Sequence, residues 1–188
     1  MTFQPHSWQV RAVEAYYALG GLFLGQPPGA GKTWVIAQCM AQEQRPLVVC
    51  PRSAMTQTRK YLEKFGIVAG YVTYSQISRD PDLLRRFRPT AIAVDEAHVL
   101  KNVKSSAWGR RIARHLHEDP ACRVVYSTGS PMHRWLSDYA HGLDWALRSR
   151  SPAPRSQAGI ERAAREAAAN PEAWLATLRS TPGVYIDA

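Results

Sequence analysis

The sequence predicts an α/β fold: a central, mainly parallel sheet flanked by helices, with a short C-terminal helical extension. Two observations predict it. Short apolar runs alternate with helical segments through residues 1–150, the pattern of strands joined by crossover helices. Several runs, such as Leu47-Val48-Val49-Cys50 and Ala91-Ile92-Ala93-Val94, carry no polar position, as expected of strands covered on both faces.

The elements follow in order. Ser7 is a suitable N-cap for a helix to about Leu19, which Gly20-Gly21 breaks. Leu22-Phe23-Leu24 reads as a buried strand, and a glycine- and proline-rich turn leads into a helix from Lys32 to about Gln42. Pro46 opens the strand Leu47–Cys50. A helix over Ser53–Phe65 places Met55, Thr58, Leu62 and Phe65 on one face. Val68–Thr73 reads as a strand, Asp80-Pro81 as the start of a short helix, and Ala91–Val94 as a strand ending at Asp95. Trp108, Ile112 and Leu116 mark a helix. Arg123–Ser127 is a strand, and Leu136, Tyr139, Leu143 and Leu147 mark the helix after it. Pro152 and Pro154 indicate a linker across 151–156. An alanine-rich helix follows, then a second capped by Asn170 with Pro171 in its first turn. The expected organisation is one lobe over 1–150, completed by a linker and helical extension over 151–188.

Composition narrows the setting. A chain of 188 residues suits one well-buried domain. No apolar stretch reaches the length of a membrane span, and the N-terminus lacks a signal-peptide pattern. Cys39, Cys50 and Cys122 are scattered, which suits a reducing cytoplasm and argues against disulfides or a zinc site. The net charge of +9 lies in residues 1–150, because 151–188 hold four arginines and four acids. Such a surface is read equally as an attractor of polyanions such as nucleic acid or as an arginine-rich solvated face, and the expected location is cytoplasmic, nucleoid or DNA-associated.

The chemistry concentrates in two places. Gln26-Pro27-Pro28-Gly29-Ala30-Gly31-Lys32-Thr33 sits between a strand and a helix. There Gly29 and Gly31 let the chain curl so that the amides of Gly29, Ala30 and Gly31 face phosphate oxygens. The helix N-terminus adds positive potential. Lys32 is expected to reach the β- and γ-phosphates of ATP and Thr33 to ligate magnesium. The strict phosphate-loop pattern fails at its first position, Gln26. The second place is Val94-Asp95-Glu96-Ala97-His98, an acid pair delivered by a buried strand to the sheet edge where the phosphate loop also lies. Asp95 is expected to bind magnesium and Glu96 to orient and deprotonate the attacking water.

Asp95-Glu96-Ala97-His98, continued by Lys101-Asn102, resembles the signature of Swi/Snf-type DNA translocases, a branch of the superfamily 2 helicases. Other segments agree in order. Pro5–Gln9 resembles the adenine-reading motif, Val48–Pro51 with Ser53 and Thr73-Tyr74-Ser75 resemble loops that touch a DNA backbone, and Ser127-Thr128-Gly129-Ser130-Pro131 resembles the motif coupling hydrolysis to lobe movement. The resemblance covers about Pro5–Leu147 and implies the first RecA-like lobe of such a motor. It implies adenine recognition by Gln9, double-stranded DNA contact by Arg52, Ser53, Thr73, Tyr74 and Lys101, and coupling through His98, Thr128 and Ser130. It also implies a second RecA-like lobe carrying an arginine finger, expected on a separate chain unless the sequence is part of a longer one. Departures are Pro-Pro-Gly-Ala in the phosphate loop, Thr58 where many members have tryptophan, and Ser130 for threonine.

Two other readings stay open at this point. One is a stand-alone nucleotide- or DNA-binding adaptor without turnover. The other is an AAA-type ATPase, suggested by Pro-Pro-Gly-Ala-Gly-Lys-Thr and countered by Lys101-Asn102 and Thr128–Pro131. The arginines Arg110, Arg111 and Arg114 read as a solvated helix face, and Trp108, Trp135, Trp145 and Trp174 as packing residues, with Trp8 placed near the adenine.

Overall fold

A computed structural model describes residues 4–97, 106–129 and 136–186. His98, Lys101, Ser130 and Trp135 therefore lie outside the described residues.

The chain runs α1 (Ser7–Leu19), β1 (Gly21–Gly25), α2 (Lys32–Met40), β2 (Pro46–Cys50), α3 (Arg52–Lys64), β3 (Gly70–Thr73), α4 (Tyr74–Arg79), α5 (Leu83–Phe87), β4 (Ala91–Val94), α6 (Ala107–Glu118), β5 (Arg123–Ser127) and α7 (Leu136–Leu147). A short 3-10 turn (Arg148–Arg150) follows, then α8 (Gln157–Ala169), α9 (Pro171–Ser180) and β6 (Val184–Ile186). The six strands form one sheet in the order β3-β2-β4-β5-β1-β6, and every described pairing is parallel.

Period-two alternation divides the core. Phe23, Leu47, Val49, Ile92, Val94, Val124 and Tyr126 face a cluster built with α6 to α9. Leu22, Leu24, Val48, Cys50, Ala91, Ala93 and Val125 face the cluster of α1, α2 and α3. The central strands are buried at nearly every position, which explains why they read as unbroken apolar runs. Trp108 and Trp145 are core residues as expected. Trp174 is partly buried and donates its indole N–H to the Tyr139 hydroxyl at 2.8 Å.

Four expectations need amending. β3 begins at Gly70 rather than Val68, whose side chain is 89% exposed. The segment after Thr73 is the helix α4. It is too short for its apolar period to show, yet Thr73 caps it: Thr73 Oγ1 accepts from the Gln76 amide at 3.1 Å, and Gln76 Oε1 accepts from the Thr73 amide at 2.7 Å. The C-terminal extension is more than helical. β6 joins the sheet beside β1, with Phe23 opposite Val184 and Gly25 opposite Ile186. Asp80-Pro81 forms a turn in which the Asp80 carboxylate accepts from the Asp82 amide at 3.1 Å, and α5 starts after it at Leu83.

Candidate nucleotide site and sheet edge

Because the strands are parallel, all their C-terminal ends fall on one edge. That edge receives the loop after β1, the starts of α3 and α4 after β2 and β3, Asp95-Glu96 after β4 and Thr128 after β5. The strand order places the phosphate-loop, Thr128 and acid-pair segments side by side on β1, β5 and β4, and the expected DNA-contacting segments on β2 and β3. Strands stand roughly 4.8 Å apart, so β1 and β4, separated by β5, lie about 10 Å apart. A triphosphate with its metal can bridge that gap.

The loop after β1 has the expected curl. Gly29 (φ +82°) and Gly31 (φ +86°) are left-handed, a region that disfavours residues with a Cβ. A Cβ on Gly31 would also collide with Gln9 Nε2. Gln9 is 1% exposed. Its Nε2 donates to the carbonyls of Ala30 (3.3 Å) and Gly31 (3.2 Å), and its Oε1 accepts from the His6 amide at 2.7 Å. Gln9 thus braces the loop after β1 against α1. Trp8 packs against the α1–α2 core cluster.

Lys32 begins α2 and folds back under the loop, donating to the carbonyls of Gln26 at 2.7 Å and Pro27 at 3.0 Å. Burial pushes its ammonium pKa down, while Glu96 and Asp95 pull it back up. Asp95 is held on three sides. Its amide donates to the Val49 carbonyl at 2.8 Å, and its Oδ1 accepts from Ser127 Oγ at 2.9 Å and from the Glu96 amide at 3.0 Å. Burial raises its carboxyl pKa. The Ser127 hydroxyl opposes the shift, and the charge of Glu96 adds to it. Glu96 is half-buried and sits at φ +52°, a backbone setting that costs a non-glycine residue about 1–2 kcal/mol.

The other expected positions are distributed as follows. Arg52 and Ser53 are exposed in the first turn of α3. Thr73 is buried and engaged in capping. Tyr74 does not point outward: its ring meets Trp108 edge-on at 5.2 Å, and its hydroxyl donates to the Asp95 carbonyl. Ser75 and Gln76 are the exposed positions there. Thr128 is buried, and its amide donates to the Leu24 carbonyl at 2.9 Å, tying the end of β5 to β1. Arg111 reaches the Ile77 carbonyl and so fastens α4 to α6, whereas Arg110 and Arg114 are exposed. Ser127 and Tyr74 are the neighbours of Asp95 whose contacts sequence reasoning missed. Ser127 read as the last residue of a strand, and an inward tyrosine at a helix start carries no periodic signal.

The donor set fits a magnesium-bound nucleotide. Among the described residues no three His, Cys, Asp or Glu side chains cluster as metal ligands. Magnesium in a nucleotide site needs only one or two protein oxygens besides phosphate and water, which Thr33 and Asp95 can supply.

A parallel sheet in this order, covered by helices on both faces, defines a RecA-like α/β lobe. Solved structures agree. The Sulfolobus solfataricus SWI2/SNF2 ATPase core in complex with dsDNA superposes with a TM-score of 0.73 at 16% identity, over 98% of this chain and 44% of that one. The UvsW helicase from bacteriophage T4 gives 0.54 at 16% identity, over 70% of this chain and 54% of that one. The chain thus spans about half the length of either protein. No family model and no curated protein sequence matches it. Among the described residues no helix is long and apolar enough to cross a membrane.

Proposed function

We propose that this lobe binds ATP with magnesium between Gly29–Thr33 and Asp95–Glu96. In this reading it is the first ATPase lobe of a Swi/Snf-type double-stranded DNA translocase and needs a second RecA-like lobe for efficient hydrolysis. The observation that supports the reading most is the strand order, in which the ends of β1, β5 and β4 lie side by side on one sheet edge. The structural likeness to a SWI2/SNF2 core captured with dsDNA supports DNA as the partner.

When bound, magnesium-ATP supplies the electrophilic γ-phosphoryl group and neutralises part of its charge. The chain's residues do the rest. The amides of Gly29, Ala30 and Gly31 bind phosphate oxygens. Lys32, which bonds the Gln26 and Pro27 carbonyls, would turn to phosphate, and Thr33 and Asp95 would hold the metal. Glu96 orients the attacking water and accepts its proton. An arginine from a second lobe would contribute about 10³–10⁵ in rate, so the lobe alone hydrolyses slowly. Arg52 and Ser53, with the start of α4, form the surface offered to the DNA backbone.

The test is ATP turnover with and without duplex DNA and a complementing RecA-like lobe. Both additions should stimulate turnover, and Lys32→Ala should abolish it. Nucleotide binding with no stimulation by either addition would favour an adaptor without turnover. Turnover unchanged in Lys32→Ala would dismiss the ATPase assignment.

A further inference from the structure

The peptide joining Asp95 to Glu96 is held at both ends. Its oxygen, the Asp95 carbonyl, accepts from the Tyr74 hydroxyl. Its nitrogen, the Glu96 amide, donates to Asp95 Oδ1, which Ser127 holds in turn. Beyond it Glu96 occupies the left-handed region at φ +52°. A glutamate stays there only where the surroundings over-determine it, and rotating this peptide is what would let it relax.

Tyr74 is well built for that task. It is the first residue of α4, and the Thr73–Gln76 capping box fixes where it starts. β3 lies outside β2 in the sheet, so the side chain must pass the end of β2 to reach the residue after β4. Trp108 grips the ring edge-on, and Arg111 ties α4 to α6 through the Ile77 carbonyl.

We infer that Tyr74 is a positioning residue: its hydroxyl fixes the Asp95–Glu96 peptide and so keeps the Glu96 carboxylate in its left-handed setting. It also links the exposed start of α4, Ser75 and Gln76, to the acid pair. The catalytic half of this inference rests on Glu96 handling the attacking water. The conformational half does not.

The test therefore has two readouts on Tyr74→Phe, which keeps the ring and removes only the hydroxyl. The first is the intraresidue amide–Hα nuclear Overhauser effect, which is strong for a left-handed residue. Arg88 and Arg148 are also left-handed, at φ +49° and +58°, and serve as internal controls of folding. Glu96 should lose the strong signal while Arg88 and Arg148 keep theirs. Thr73→Val, which removes the capping acceptor, should weaken the Glu96 signal in the same direction. The second readout is turnover with duplex DNA and a complementing lobe. There kcat should fall about tenfold or more with KM for ATP within about twofold, since loss of an oriented base acts on the chemical step. A Glu96 signal in Tyr74→Phe as strong as in the unaltered chain would overturn the inference. A lost signal in a chain that shows no turnover in any condition would leave the positioning role standing and sink the ATPase reading instead.

Discussion

Ser127 Oγ donates to Asp95 Oδ1 over 2.9 Å, from β5, the strand that separates β1 from β4. Ser127 is fully buried and Asp95 nearly so, and the hydroxyl is one of the contacts that keep a carboxylate tolerable at that depth. Ser127→Ala should destabilise the fold by about 1.5–3 kcal/mol, the range for a hydrogen bond to a charged group. Thermal unfolding at neutral pH checks this, and an unchanged Tm would show that the hydroxyl contributes nothing.

Asp95 itself should weaken the fold that carries it. Burial raises its folded pKa above 3.8, so the folded chain binds this proton more tightly than the unfolded chain. The stability that follows is fully present below the unfolded pKa and is lost as pH rises through the folded one. Asp95→Asn keeps an acceptor for Ser127 and removes the charge. Its Tm should exceed that of the unaltered chain at pH 7, and the gap should close towards pH 4. A variant less stable at pH 7 would contradict this.

Gln9→Ala separates two roles. Bracing of the Ala30 and Gly31 carbonyls predicts a loss of about 1–3 kcal/mol in stability from the unsatisfied groups, with weaker binding of ATP and GTP alike. Recognition of the adenine by Gln9, the role implied by the family resemblance, predicts a selective loss of ATP. Paired titrations with the two nucleotides decide between them.

Gly142→Ala tests the packing beneath the site. A Cβ there would stand 2.5 Å from the Tyr126 ring, whose hydroxyl is bonded to His141 at 3.0 Å. Overpacking of this kind costs about 1–3 kcal/mol. Denaturant unfolding should show the loss with no change in nucleotide affinity.

The strands and long helices were legible because their periods repeat over enough residues to register, as in Leu47–Cys50 and in Trp108, Ile112 and Leu116. The roles proposed for Lys32 and Asp95 rest on particular residue types at fixed offsets, which a sequence displays directly. β6 was not: three residues after a helix give no alternation to read, and their burial comes from β1 and α9. Tyr74 stood in a stretch that resembles a DNA loop, yet its hydroxyl serves Asp95, 21 positions away. Gln9 fell at the expected place, where the fold shows it bracing the loop backbone. In both cases the residue was visible and its partner was not, because the partner is set by the tertiary fold.

Calorimetric titration of the chain with ATP, in magnesium and in EDTA, tests the joint site most directly. Saturable one-to-one binding should weaken in EDTA. Lys32→Ala should weaken it in both buffers, and Asp95→Asn only where magnesium is present. Absence of binding, or binding indifferent to magnesium and to both substitutions, would contradict a single nucleotide site built from the ends of β1 and β4.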